Sequence, residues 1–399
     1  MENHEPSNDS GISDEEDAAQ VNQAIQAKQA GKREATVQLD HGARRVTVRA
    51  LAFACDGDLL VSGDGDGRVR VWNSNSAQLH YTQHKHDGAI TSVTSAVGGD
   101  ARDLAASCGA DAKVHVWEVR SNLSLFFLST HTATVWKAVF APRGAVQLAT
   151  CSADHTARVW ETRSGRATCI LKGHQAGVVG IAWSPDGSRN IATCSWDRTA
   201  RVWNGLTGRC LHVLSAHHDW VTAVAYNGDG TALATCSNDC TVRVWSPLSG
   251  KQVLVLQDHA SDVNMIVFNN SLLASASRDR TVRLVDLQKQ STRSTLTSHR
   301  DNIPFIGFVP VAATTRQRTP SYTANSHDAI LVTCCDDGTV RLWDTRTSDV
   351  LEILTGLEEP VVAWDATEGC RVVAAASRDG KVCMWNRGGE KSRGKCAIL

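Results

Sequence analysis

Along most of the chain, apolar and polar positions alternate in short runs that end in an aromatic residue: TARVW twice, TVRVW, TVRLW and KVCMW. Alternation at a period of two over five residues predicts β-strands with one buried face. A run of small and β-branched residues (LATCS, IATCS, LASAS) precedes each, separated from it by a turn that carries an Asp, so the two strands form a hairpin. Upstream lies a third short strand ending in an aromatic (WKAVF, VVGIAW, VTAVAY, VNMIVF), often followed by a turn such as SPDG or NGDG. The segment after each Trp supplies a fourth strand on the outside.

The unit recurs eight times. Asp66, Asp111, Asp154, Asp197, Asp239, Asp337 and Asp379 each lie six residues before a Trp, and Asp279 lies six before Val285. The steps between copies run 45, 43, 43, 42, 40, 58 and 42 residues, the period of a four-stranded propeller blade. The expected fold is an all-β propeller of eight blades over residues 35–387, with seven blades as the alternative. Such sheets must stack around an axis, and the terminal edge needs a partner. Nothing strand-like follows Trp385, whereas TVQLD at Thr36 to Asp40 precedes the first copy, so this strand is expected to complete the last blade. The 58-residue step marks an insertion at about 310–327, a polar loop with a weak phosphorylation signal at Thr319.

These repeats resemble the WD40 family over nearly nine-tenths of the chain. The resemblance implies a hydrogen-bonded row of His, Ser or Thr, Asp and Trp in each blade. His86, Ser107, Asp111 and Trp117 fit it, as do His131, Thr150, Asp154 and Trp160, then His174, Thr193, Asp197 and Trp203. His217, Thr235, Asp239 and Trp245 follow, and His299, Thr333, Asp337 and Trp343. The first copy has its His41 displaced, the sixth lacks the Trp, and the last has Ala375 in place of the hydroxyl; these blades are expected to be the softest. A His, Ser and Asp set also suggests a hydrolase triad, but a triad occurs once per active site, and this set recurs blade after blade. No enzyme activity, cofactor or small-molecule substrate is expected.

Composition narrows the remaining classes. Lys plus Arg (41) nearly balances Asp plus Glu (42), without the basic excess of a nucleic-acid binder. The first twenty residues hold seven acids and no Lys or Arg, unlike a signal or transit peptide, and no apolar run is long enough to span a bilayer, so a cytoplasmic location is expected. Cys108, Cys151, Cys194, Cys236 and Cys334 each lie three residues before the turn Asp and read as small core residues; no CxxC pair suits zinc, and no metal is expected.

Binding is sought among residues that the repeat leaves unexplained. Trp136, Trp196 and Trp220 fall outside the strand-terminal and inner aromatic positions, the latter assigned to Trp183 and Trp364. The WD40 resemblance implies that they look out from the loop-bearing top face of blades three to five, forming an aromatic patch for a protein partner. Equivalent positions carry Arg49, Asp262, Asn264, Arg278 and Arg378, a polar rim suited to a peptide segment. A second reading is a substrate receptor of a cullin ubiquitin ligase. Such WD40 proteins carry W-[DE]-x-R, matched by the runs that end at Arg120, Arg163 and Arg346.

Both ends carry their own signals. The sequence closes on Cys396, Ala397, Ile398 and Leu399 behind a glycine-rich, basic lead over residues 388–399, matching a C-a-a-X box of the geranylgeranyl type and resembling the ending of G-protein gamma subunits. One lipid binds a bilayer marginally, and each nearby basic residue adds about 1 kcal/mol, so reversible attachment to a cytoplasmic membrane surface is expected. Residues 1–34 read as an acidic segment with Ser13 as a helix cap or kinase site and a short helix over 14–30, a placement similar to that in G-protein beta subunits. The first reading is therefore a non-catalytic scaffold, tethered by lipid on Cys396.

Overall fold

Each repeat folds into one antiparallel four-stranded sheet, its strands following chain order from the central axis outwards. Blade 3 is typical: Val135–Phe140, Gln147–Ser152, Thr156–Glu161 and Ala167–Lys172. The computed structural model describes residues 31–34, 37–39, 46–96, 103–142, 147–310 and 329–387, and they form eight such sheets. The propeller has eight blades, as expected.

Two amino-terminal strands finish the ring. Val37–Leu39 pairs antiparallel with Val382–Asn386 and becomes the outer strand of blade 8, as TVQLD predicts. Gly31–Glu34, expected to precede the propeller, instead lies parallel to Val350–Thr355 as a fifth strand on blade 7. The acidic segment and helix over 1–30, Ser13, Thr319, His41 and Cys396 lie outside the described residues.

The core lies between blades. The Trp of each third strand packs against the preceding blade: Trp160 meets Val114, Val116 and Leu128, and Trp203 meets Ala149, Cys151 and Val159. Trp72 of blade 1 meets Ala374, Val382 and Met384 of blade 8, so the same contact shuts the ring. The first and last inner strands are also fastened by the Phe53 amide, which donates to Asp365 at 2.7 Å. A buried indole removes about 200 Å² from water, or roughly 5 kcal/mol of gross transfer energy, before ordering costs.

The polar row holds the turns against that core. In blade 4, His174 Nδ1 donates to Asp197 at 2.8 Å, and Thr193 Oγ1 donates to the unprotonated His174 Nε2 and accepts from Trp203 Nε1, both at 2.8 Å. Blades 3 and 5 repeat the geometry, and blade 6 keeps His259, Asp279 and Ser275 without the Trp.

Four positions depart from the expected row. In blade 1 the buried carboxylate is Asp64, not the exposed Asp66; it binds Arg70 at 2.5 Å, and the guanidinium replaces the missing imidazole. In blade 2, Trp117 donates to the Tyr81 hydroxyl of blade 1 at 3.2 Å rather than to Ser107. In blade 7, His299 Nδ1 is 3.6 Å from Asp337, too far for a hydrogen bond. In blade 8, Trp364 pairs in register with Ala375, as Ala138 does with Thr150, and so is not at the position of Phe140; it crosses to blade 7, where Gly307 leaves room for the ring.

Burial sets the protonation of these groups. It would raise the Asp154, Asp197, Asp279 and Asp337 carboxyls, but the imidazole and Thr donors outweigh it and hold them well below the usual carboxylate range; Asp239 settles at about 2. Burial lowers His86, His174 and His217, and takes His299 down to about 4. The cysteines behave as core residues: the twelve described are free, and burial pushes Cys108, Cys151 and Cys236 up to about 12.

Two predictions follow from the row. Below the unfolded His value of 6.5 the unfolded chain takes up protons that the folded chain refuses, so stability falls with pH; His299 alone contributes on the order of 3 kcal/mol by about pH 4. Below the unfolded Asp value of 3.8 the carboxylates add to the loss, because they remain charged in the fold. Urea titrations across this range should show the midpoint dropping steadily, and a constant midpoint would contradict the assignment. Thr193 also holds two buried partners, an imidazole nitrogen and an indole N–H, whereas Ser107 holds the imidazole alone. Thr193→Val should therefore cost about 2–4 kcal/mol in denaturant unfolding and Ser107→Ala about half that.

Candidate functional site: an indole shelf on one end of the propeller

Antiparallel strands bring the turn between second and third strands to the same end of a blade as the loop entering the first. One backbone hydrogen bond joins the two in every blade: the residue before the turn Asp, or before Asp66 in blade 1, donates its amide to the carbonyl just before the inner strand, or in blade 7 to that of Asn302, three residues before it. Trp196 thus donates to Gly177 at 3.1 Å, Asn238 to Trp220 at 3.0 Å, and Ala153 to Thr134 at 2.9 Å. This repeated bond gathers side chains from separate blades onto one rim.

The three unexplained Trp meet there. Trp136 begins the inner strand of blade 3, Trp196 occupies the turn of blade 4, and Trp220 precedes the inner strand Val221–Tyr226 of blade 5. Trp196 is the centre: its ring lies 5.8 Å from Trp136, edge-on at 65°, and 5.4 Å from Trp220 at 36°. Gly177 lets it lie flat, because a Cβ there would sit 3.0 Å from the indole. Trp136 is half-buried against the blade 3–4 core, with its Nε1 buried and unpartnered. Trp220 is 49% exposed. The contacting rings leave no cage between them and form a continuous apolar shelf.

The polar positions fall elsewhere on the same end. Asp262 and Arg278 face each other at 3.7 Å on blade 6. Asn264 donates to Asn302 at 2.6 Å and to the Ile303 carbonyl at 3.0 Å, and Asn302 reaches Asp336; Asn264 is therefore tied to blade 7. Arg378 is exposed on blade 8, and Arg49 lines the mouth of the central channel from blade 1. These residues flank the shelf around the ring and do not surround it.

Arg120, Arg163 and Arg346 follow third strands and so lie at the opposite end. Arg120 binds Asp58 at 2.9 Å and Asp103 at 3.2 Å, joining blades 1 and 2. Arg163 is exposed, and the Arg346 backbone is held by Asp344 and Arg293.

Among the described residues one cluster has metal-ligating chemistry: His299, Cys335 and Asp337, with ligand atoms within 4.8 Å of one another. The residues fit a metal poorly. Burial pushes the Cys335 thiol up to about 12, its Sγ hydrogen-bonds the Asp301 carbonyl at 3.3 Å, and the Arg341 guanidinium lies 3.4 Å from Asp337. Cys335 does here what Ser195 does in blade 4, where the hydroxyl binds a loop carbonyl and the turn amide.

The sequence reading missed Lys137, which lines the channel beside Trp136. The signal was its register: the same pairing position holds the small Ala50, Ser92, Gly180, Ala223 and Ala363 in five other blades and the apolar Met265 and Phe305 in blades 6 and 7, so Lys137 alone is charged there.

The comparisons agree with this architecture. The WD domain, G-beta repeat matches residues 34–73, 77–118 and 122–161. A computationally designed protein, Ika8, superposes with a TM-score of 0.73 over 90% of this chain and 100% of its own, at 23% identity, a likeness of fold. Cilia- and flagella-associated protein 52 from Chlamydomonas reinhardtii is 35% identical over 71 residues, which cover 18% of this chain and 11% of that relative. The family described as IFT122 first beta-propeller matches residues 147–395. The chain is a WD40-repeat β-propeller and belongs to the IFT122 first beta-propeller family.

Proposed function

We propose that this propeller is a non-catalytic scaffold that seats a protein partner on the shelf of Trp136, Trp196 and Trp220. A WD40 propeller suits protein–protein interaction. The observation that carries the reading is the mutual contact of three indoles from three blades with the outermost half exposed, since solvent-facing Trp clusters are rare unless a partner covers them. The relative's name places that protein in cilia and flagella; the 71-residue match supports the repeat in this chain and not an address for it. Attachment to a membrane through Cys396 rests on its sequence motif.

Trp196→Ala and Trp220→Ala should each weaken the partner by 2 kcal/mol or more, about thirtyfold, and remove a common set of neighbours from proximity labelling in cells, with thermal unfolding of Trp220→Ala unchanged. An unaltered set of neighbours would contradict the shelf. The tether has its own test: Cys396→Ser should move the protein from the membrane pellet to the soluble fraction, and an unchanged distribution would remove it.

A further inference from the structure

The central channel has a volume of about 1080 Å³ and is walled by the inner strands of all eight blades. Most of its wall is apolar or carries hydroxyls, including Val139, Phe140, Trp183, Thr94 and Phe268. Only Arg49 and Lys137 among its lining residues bear a formal charge, and no carboxylate lines it. Both side chains are exposed, and neither makes a side-chain hydrogen bond or ion pair among the described residues. Arg70, Lys113, Arg120, Arg278, Arg341 and Arg387 face carboxylates, whereas these two, like the exposed Arg163 and Arg378, do not; what distinguishes them is their place on the channel wall. The one acid on the described inner strands, Asp365, accepts from the Phe53 and Ala366 amides at 2.7 and 2.9 Å and is not among the residues that line the channel.

Lys137 stands next to the shelf, and Arg49 lines the same channel from blade 1. Arg49 holds in blade 1 the position that Trp136 holds in blade 3, just after the Val that begins each inner strand. Lys137 directly follows Trp136, and across the seam the corresponding residue of blade 4 is Gly180, which has no side chain to cover it. A chain crossing the shelf towards the axis therefore meets indoles first and unneutralised cations second. Low-dielectric walls strengthen the attraction, and an apolar cavity holding two like charges without counterions favours an anion of matching shape.

We propose, resting on the docking reading above, that the partner contributes an acidic peptide segment, its apolar side chain laid on Trp196 and Trp220 and its carboxylates directed into the channel at Lys137 and Arg49. An acidic segment is favoured over a nucleic acid because the outer rim carries Asp219 and Asp301 without a cation against them, which would repel a continuous phosphate backbone but not a few carboxylates entering the axis.

The test uses the full chain and a fluorescein-labelled synthetic peptide alternating glutamate and leucine around a central phenylalanine, with a control bearing lysine for each glutamate. Fluorescence anisotropy should show binding of the acidic peptide, weakened by salt, and no binding of the lysine control. Arg49→Glu with Lys137→Glu should weaken it about tenfold or more, the milder Arg49→Gln with Lys137→Met should weaken it in the same direction, and Lys251→Glu, exposed at the opposite end of blade 5, should change it little. Thermal unfolding of each variant checks that the propeller is intact. Absence of acidic-peptide binding, equal binding of both peptides, or wild-type binding by the neutralised pair would overturn the proposal. If Trp196→Ala abolishes binding while the neutralised pair binds normally, the shelf stands and the acidic assignment falls. The converse, loss only in the neutralised pair, supports the channel charge and removes the shelf. A gain in peptide affinity when the seven acids of residues 1–20 are replaced by amides would give the channel to the chain's own amino-terminal segment and overturn the assignment to a partner.

Discussion

The structure depends on burying both faces of every sheet. A four-stranded blade rich in Val, Ala and Cys is apolar on two sides, so it is stable only between neighbours, and a row of such blades is satisfied only when the last meets the first. Trp72 against blade 8 makes that contact, Asp365 fastens it, and Val37–Leu39 supplies the outer strand that the carboxy-terminal repeat lacks. Closure then dictates the functional geometry. All inner strands face one channel, and all turns before the third strands open on one end, where the repeated amide-to-carbonyl bond sets the height of each exposed side chain.

Within that frame the polar row trades desolvation against hydrogen bonds. One hydroxyl donates to an imidazole and accepts from an indole, and one carboxylate accepts from the imidazole, a loop amide and a turn hydroxyl, so the buried groups are satisfied without solvent. The row tolerates exchange of its members when the charge balance survives. Arg70 replaces a histidine in blade 1, Tyr81 supplies the indole acceptor in blade 2, and Cys335 replaces a serine in blade 7.

The blade number and the closing strand were legible in the sequence because the repeat is long enough to count, whereas the common end of the three Trp was implied by the WD40 resemblance. What was not legible depended on contacts across a seam between blades. Trp364 reads as the inner aromatic by composition, but its register is set by pairing with Ala375, and the space it fills exists because Gly307 lies on another repeat. Asn264 reads as a free rim residue, yet Asn302 of the next blade occupies its amide. Gly31–Glu34 has no alternating pattern, and its place is set by the unpaired outer edge of blade 7. The charge of the channel emerges only when residues far apart in sequence are brought around one axis.

Ring closure by the amino-terminal strand is most directly tested by native-state hydrogen exchange of the full chain, comparing Val382–Asn386 in blade 8 with its counterpart Ala200–Asn204 in blade 4. With Val37–Leu39 in place, both third strands are paired on either side, and their amides should be protected to within about tenfold of each other. Exchange of the blade 8 strand at the rate of an unpaired edge, with blade 4 still protected, would show an open ring and contradict the account.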